Sequence, residues 1–154
     1  MEATTASNAD LNRLGLSATV HCLTGCVIGE VVGMMLATAF GWGDIASIAL
    51  AVGLAFVFGF ALTSIPLVKA GLAAGTVIST AFAVDALSIT IMETIDNAFV
   101  AVYPGAMEAG LTDPVLYFAI ALGFVIAFPF AFMANRYLIA RGKGHALVHE
   151  YHGH

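Results

Sequence analysis

The sequence predicts an all-α fold: a polytopic membrane protein built as a bundle of four transmembrane helices, with both termini in the cytoplasm. Three observations predict it. The chain of 154 residues is 60% hydrophobic and only 10% charged, where a soluble domain carries about 25% charged residues. The apolar residues collect in four runs, each at least the roughly 20 residues that a helix needs to cross a bilayer. The five Lys and Arg residues fall before the first run, between the second and third, and at or beyond the end of the fourth. Cytoplasmic loops are enriched in Lys and Arg, so this pattern fixes an even number of crossings and the orientation.

The first run, about Leu16–Phe40, follows a polar N-terminal segment (1–14) that contains Glu2, Asp10 and Arg13. That segment lacks the basic stretch and short apolar core of a cleavable signal, so the run is expected to stay in the membrane. The break Gly41-Trp42-Gly43-Asp44 leads to the second run, about Ile45–Val68. Pro66 through Gly71 separates it from the third, about Leu72–Val102. Tyr103-Pro104-Gly105 through Asp113-Pro114 leads to the fourth, about Pro114–Ile139, where Pro129 predicts a kink. Pro and Gly punctuate every break. Arg13, Lys69, Arg136, Arg141 and Lys143 all fall on one side of this topology, while the other two loops hold only Asp44, Glu108 and Asp113. A transmembrane domain over 15–140 and a His-rich cytoplasmic tail over 141–154 are expected. The expected location is the cell inner (plasma) membrane, multi-pass, with the lipid bilayer as solvent. No basic stripe supports binding to nucleic acid.

The first run contains the residues with the most chemistry. Cys22, Cys26 and Glu30 are spaced i, i+4, i+8 and form one stripe on a helix. A carboxylate in hydrocarbon costs several kcal/mol and marks a functional site. Thiolates are soft ligands suited to Cu(I) and zinc. His21 is offset by roughly 100° from Cys22 and reaches that stripe only from the side. Met34 lies one turn beyond Glu30. Gly25, Gly29 and Gly33 form two GxxxG steps beside the stripe, a pattern that serves close helix packing.

The third run holds Asp85, Ser88, Met92, Glu93, Asp96 and Asn97. On a helix Asp85, Met92 and Asp96 nearly coincide, with Ser88 and Glu93 to either side. Away from its ends no run contains a basic residue to neutralise these carboxylates, so the countercharge is expected from protons, metal ions or another subunit. Glu93 and Asp96 have a second reading, as solvated residues near the outer surface. If the first and third helices are neighbours, Glu30 and Asp85 are expected at similar height, with thiols toward the inside and carboxylates toward the outside. Such a ladder of moderate sites suits conduction. In the tail, His145 and His149 have the i, i+4 spacing of a helical metal pair, with His152 and His154 beyond.

The segments HCLTGCVIGE, AVDALSITIMETIDN and NRYLIARGKGHALVH, taken in order from Leu16 to His149, resemble an uncharacterised family of bacterial membrane proteins, domain of unknown function 4396. The resemblance implies the four-helix membrane core and the importance of these segments. It brings no assigned activity. It also implies an association with copper-handling proteins, which turns the metal reading toward copper.

The leading expectation is therefore a membrane transporter or channel-like protein for a metal cation, a soft one such as Cu(I), with zinc second and with protons as a coupled ion. Its candidate ligands are Cys22, Cys26, Glu30, His21, Asp85, Met92, Glu93, Asp96, His145 and His149. A chain of so few helices is expected to form a homo-oligomer. Three other readings stay open. One is a proton-coupled exporter of small cations, although no aromatic residues surround Glu30. Another is a membrane-embedded metal or redox protein, although the runs lack the Glu-x-x-His pairs of carboxylate-bridged metal bundles. The last is an assembly subunit whose acids pair with a partner's bases. No phosphate loop, dinucleotide motif or hydrolase triad is present, so an enzyme is not the favoured class.

Overall fold

Gly41, Gly71 and Gly105 adopt left-handed backbone, with φ of 68°, 82° and 80°, and these turns divide the chain into helices. The computed structural model describes residues 8–69, 71 and 73–140. Four helices result: α1 (Asn8–Ala39), α2 (Asp44–Lys69), α3 (Ala74–Val102) and α4 (Pro114–Ala140). The chemistry of each boundary is local. At the end of α1, Gly41 N–H donates to Thr38 O at 3.1 Å and Trp42 N–H donates to Ala37 O at 2.9 Å. This is the Schellman pairing, and it needs the left-handed residue that glycine supplies without a steric penalty. At the start of α4, Asp113 Oδ1 accepts from Val115 N–H at 2.9 Å, and Pro114 occupies the first helical position, where its missing N–H is harmless.

Helix α1 begins within the stretch read as a polar N-terminal segment, and α4 continues through Pro129 to Ala140. Three helices are long and apolar enough to cross a membrane: α1, α2 over Asp44–Ile65 and α4 over Pro114–Leu138. Helix α3 has 29 residues, about 44 Å at 1.5 Å per residue, but it carries Asp85 just before its midpoint and Glu93 and Asp96 in its second half. By composition it is not a candidate span among the described residues.

The helices form a ring in chain order, each packed on the next and α4 on α1, and α1 also meets α3 across the diagonal. The closest approach is between α1 and α2. A β-carbon on Gly25 would strike the Gly59 backbone, one on Gly29 the Ala55 backbone, and one on Gly33 would come within 2.5 Å of Ala51 Cα. Gly25, Gly29 and Gly33 therefore read down α1 as Gly59, Ala55 and Ala51 read up α2. This is a small-residue seam between antiparallel helices, and the packing reading of the glycines holds.

Arg136 on α4 donates from Nε to Asn12 Oδ1 at 2.7 Å and from Nη2 to Asn8 Oδ1 at 3.1 Å. This joins the end of α4 to the start of α1. Alternating helix directions put Arg13, Lys69 and Arg136 at the same end of the bundle, with Asp10 beside them. Asp44, Glu108 and Asp113 fall at the other. These are called the basic end and the acidic end below.

The distribution of polarity is inverted relative to a water-soluble bundle. Val57, Phe82, Val125 and Met133 are among many large apolar side chains facing outward, while Thr19, Glu30, Thr63, Asp85, Ser88, Glu93, Asp96 and Asn135 are buried. An apolar solvent around the helices accounts for the first set; the second set lines the α1–α3 diagonal and its flanks.

Candidate functional site

Two layers of polar side chains occupy the diagonal. In the layer nearer the basic end, the Cys22 thiol donates to Asp85 Oδ1 at 3.1 Å and its Sγ lies 2.8 Å from Ser88 Oγ. Thr63 Oγ1 donates to the same Asp85 oxygen at 2.9 Å. One residue of α1, one of α2 and two of α3 are thus tied together. The match in height is a consequence of helix rise. Cys22 lies 17 residues from the end of α1 and Asp85 lies 17 from the end of α3, each about 26 Å from the acidic end.

The second layer sits about two turns higher. Glu30 and Glu93 each lie nine residues from their helix ends, about 14 Å from the acidic end. The Cys26 thiol faces Glu93, and the Glu30 carboxyl faces Asp96 closely enough for direct interaction. Asn97 Nδ2 donates to Glu93 Oε2 at 3.3 Å and to the Glu93 carbonyl at 2.8 Å. Asp96 lies against Gly123 of α4, where a β-carbon would collide with its Oδ1.

Burial of these acids is nearly complete, with exposures of 0% for Asp96, 2% for Asp85, 3% for Glu93 and 5% for Glu30. The reading of Glu93 and Asp96 as solvated surface residues is thereby excluded. Asp85 Oδ2, Glu30 Oε2, Glu93 Oε1 and both Asp96 oxygens have no hydrogen-bond partner among the described residues. An unpaired buried carboxylate costs several kcal/mol. A structure that keeps four of them on one diagonal requires protons or cations to neutralise them.

The expected pairing of heights needs correction. Glu30 does not stand level with Asp85; it stands level with Glu93 and Asp96, and Asp85 stands level with Cys22. The helix ends set this register, because α1 extends nine residues past Glu30 and α3 extends 17 past Asp85.

The other sequence candidates fall as follows. Met92 is fully buried next to Glu93 in sequence, in the same core cluster as Cys22, Cys26 and Ile89. His21 stands beside the stripe; its Nδ1 bonds to Ser17 O of its own helix at 2.7 Å, and its ring is near enough to Asp85 to act on it electrostatically. His145 and His149 lie outside the described residues. Among the described residues no group of three or more His, Cys, Asp and Glu side chains converges closely enough to hold a metal ion. The acids and thiols are strung along the diagonal in pairs and short clusters instead.

A cavity of about 320 Å³ opens from the acidic end and reaches Glu30, with Met34, Asp44 and Asn97 among its lining residues. Toward the basic end a third buried polar contact joins α4 to α1, where Asn135 Nδ2 donates to Thr19 Oγ1 at 3.0 Å and Thr19 Oγ1 donates to Gly15 O at 2.6 Å.

The sequence model of domain of unknown function 4396 matches residues 12–144. The chain belongs to that family. The match covers α1 through α4, and with them both polar layers, the cavity and the Thr19–Asn135 contact. No curated protein and no solved structure matches the chain. The family carries no assigned activity, so its function must be argued from the geometry.

Sequence reasoning missed Thr63, Thr19, Asn135 and Gly123. Asn135 had a readable signal: an amide one residue before Arg136 in an otherwise apolar helix. Thr63 and Gly123 had none, since Thr and Gly are common in membrane helices and only the packing shows which face they occupy.

Proposed function

We propose that this chain is a cation-translocating membrane protein whose cargo is a soft metal ion, Cu(I) first and zinc second, exchanged against protons. In this reading all four helices cross the inner (plasma) membrane, α3 included. Its three acids face the bundle, so its composition reflects function and does not bar insertion. Both termini then lie in the cytoplasm, as expected from the grouping of Arg13, Lys69 and Arg136 at one end.

The observation that carries the proposal is the line of four buried carboxyls, without a Lys or Arg partner among the described residues, interleaved with two thiols between the cavity and the Thr19–Asn135 contact. A cation arriving from the acidic end meets Glu30, Asp96 and Glu93 first, then Cys26, then Cys22 with Asp85. Each step offers a site of moderate strength, as conduction requires. Proton exchange follows from the Cys22–Asp85 bond. A soft ion binds the thiolate, so the Cys22 proton must leave, and Asp85 Oδ1 already accepts that S–H. The track lies within one chain, so association of copies is not needed to complete it.

Metal analysis tests the proposal. A chain ending before His145, purified anaerobically and loaded with Cu(I), is expected to retain copper in stoichiometric amount, and Cys22→Ser with Cys26→Ser to lose it. Absence of retained copper or zinc in the unmodified core would overturn the metal cargo. A second reading, a pure proton path, is favoured by the absence of three converging ligands among the described residues. It predicts proton movement that needs the carboxyls and is indifferent to the cysteines.

A further inference from the structure

The cavity at the acidic end is far larger than a bare metal ion requires, and much of its wall is apolar. Met34, Ile48, Val100 and Leu111 supply apolar surface, and the polar groups are placed at particular points around it. Glu30 forms the floor, 5% exposed, with Oε2 unpartnered. Asp44 stands at the rim on the exposed first turn of α2. No Lys, Arg or His lines the cavity among the described residues. A volume of about 320 Å³ lies at the small end of organic-ligand sites, which are mostly apolar clefts with a few placed polar groups.

From these features we infer that the cavity is a binding site for a small amphiphilic organic monocation, an alkylammonium whose hydrocarbon body fills the apolar walls and whose ammonium reaches Glu30. The charge complementarity decides the class. A neutral hydroxyl could donate to Glu30 Oε2, unpartnered in the structure, but would leave its buried charge uncompensated, and an anion would face two carboxylates. An ammonium gives Glu30 a charge-assisted hydrogen bond in a low-dielectric floor. The inference shares Glu30 with the proposed metal path and needs no metal. Alkylammonium and metal are expected to exclude one another at Glu30.

The test is calorimetric titration of the full chain in detergent and metal-free buffer with cyclohexylammonium and with its neutral analogue cyclohexanol. A hydrogen bond to a charged group contributes about 1.5–3 kcal/mol, so the ammonium is expected to bind about ten- to a hundredfold more tightly than the alcohol. Glu30→Gln keeps the shape of the floor and should erase that preference. Asp44→Asn, at an exposed rim position, should reduce it less. Ala101→Phe fills the cavity from its surface side and should weaken both probes. Equal binding of the two probes by the unmodified chain would make the cavity an apolar cleft for lipid or detergent and overturn the inference. So would a preference that survives Glu30→Gln, or failure of the ammonium to bind. None of these outcomes depends on whether the chain carries copper.

Discussion

Gly123 of α4 lies so close to the Asp96 carboxyl of α3 that a β-carbon there would collide with Oδ1. The most buried acid of the bundle therefore owes its position to the absence of a side chain on the facing helix. Gly123→Ala must push Asp96 or α4 aside, at a cost of about 1–3 kcal/mol for an overpacked core. The expected result is a lower melting temperature in detergent together with impaired cation movement. Gly53→Ala is the control: nothing lies within 4 Å of its added β-carbon, and its stability should be unchanged or slightly higher.

The α1–α2 seam makes a sharper prediction. A β-carbon on Gly29 meets the Ala55 backbone, which cannot rotate away as a side chain can. Gly29→Ala should destabilise the chain more than Gly123→Ala does. Gly15→Ala, whose nearest neighbours would stand 3.4 Å away, should be tolerated. Thermal unfolding of the three variants side by side ranks them.

Cys22 is held by both Asp85 and Ser88, so two substitutions separate its roles. Cys22→Ser keeps a hydroxyl for Asp85 and Ser88 and should retain stability while losing soft-metal affinity. Cys22→Ala leaves buried polar groups without their partner, at about 1–3 kcal/mol, and should also lower the melting temperature. Equal melting of the two variants would remove the hydrogen-bonding role assigned to the thiol.

Topology is open to a direct check. Reporter fusions that are active on only one side of the membrane, placed after Gly43, Gly71 and Gly110, should alternate in sign, and the fusion after Gly71 should match one at the C-terminus. The same sign at Gly71 and Gly110 would mean that α3 does not cross.

Much of this arrangement was legible in the sequence because membrane helices obey a few strong rules. Apolar run length and the Pro and Gly breaks placed α2 almost to the residue, and the Cys22/Cys26/Glu30 stripe does face inward. Asp85, Ser88, Glu93 and Asp96 of α3 are buried, on the face their spacing implied. Register was the part that could not be read. It depends on how far each helix extends beyond its acids, and so Asp85 pairs with Cys22 while Glu30 meets Asp96. Contacts across the bundle were equally hidden: Thr63 on Asp85, Asn135 on Thr19 and Gly123 on Asp96 join residues whose types are unremarkable alone.

The central claim is that the α1–α3 diagonal moves a soft cation against protons. It is tested most directly in sealed vesicles containing the purified chain truncated before His145, with internal dyes reporting Cu(I) and pH together. Copper movement is expected with opposite proton movement, and both are expected to be lost in Asp85→Asn and in the Cys22→Ser, Cys26→Ser double variant. Copper movement that persists in the double cysteine variant, or that proceeds without any proton signal, would contradict it.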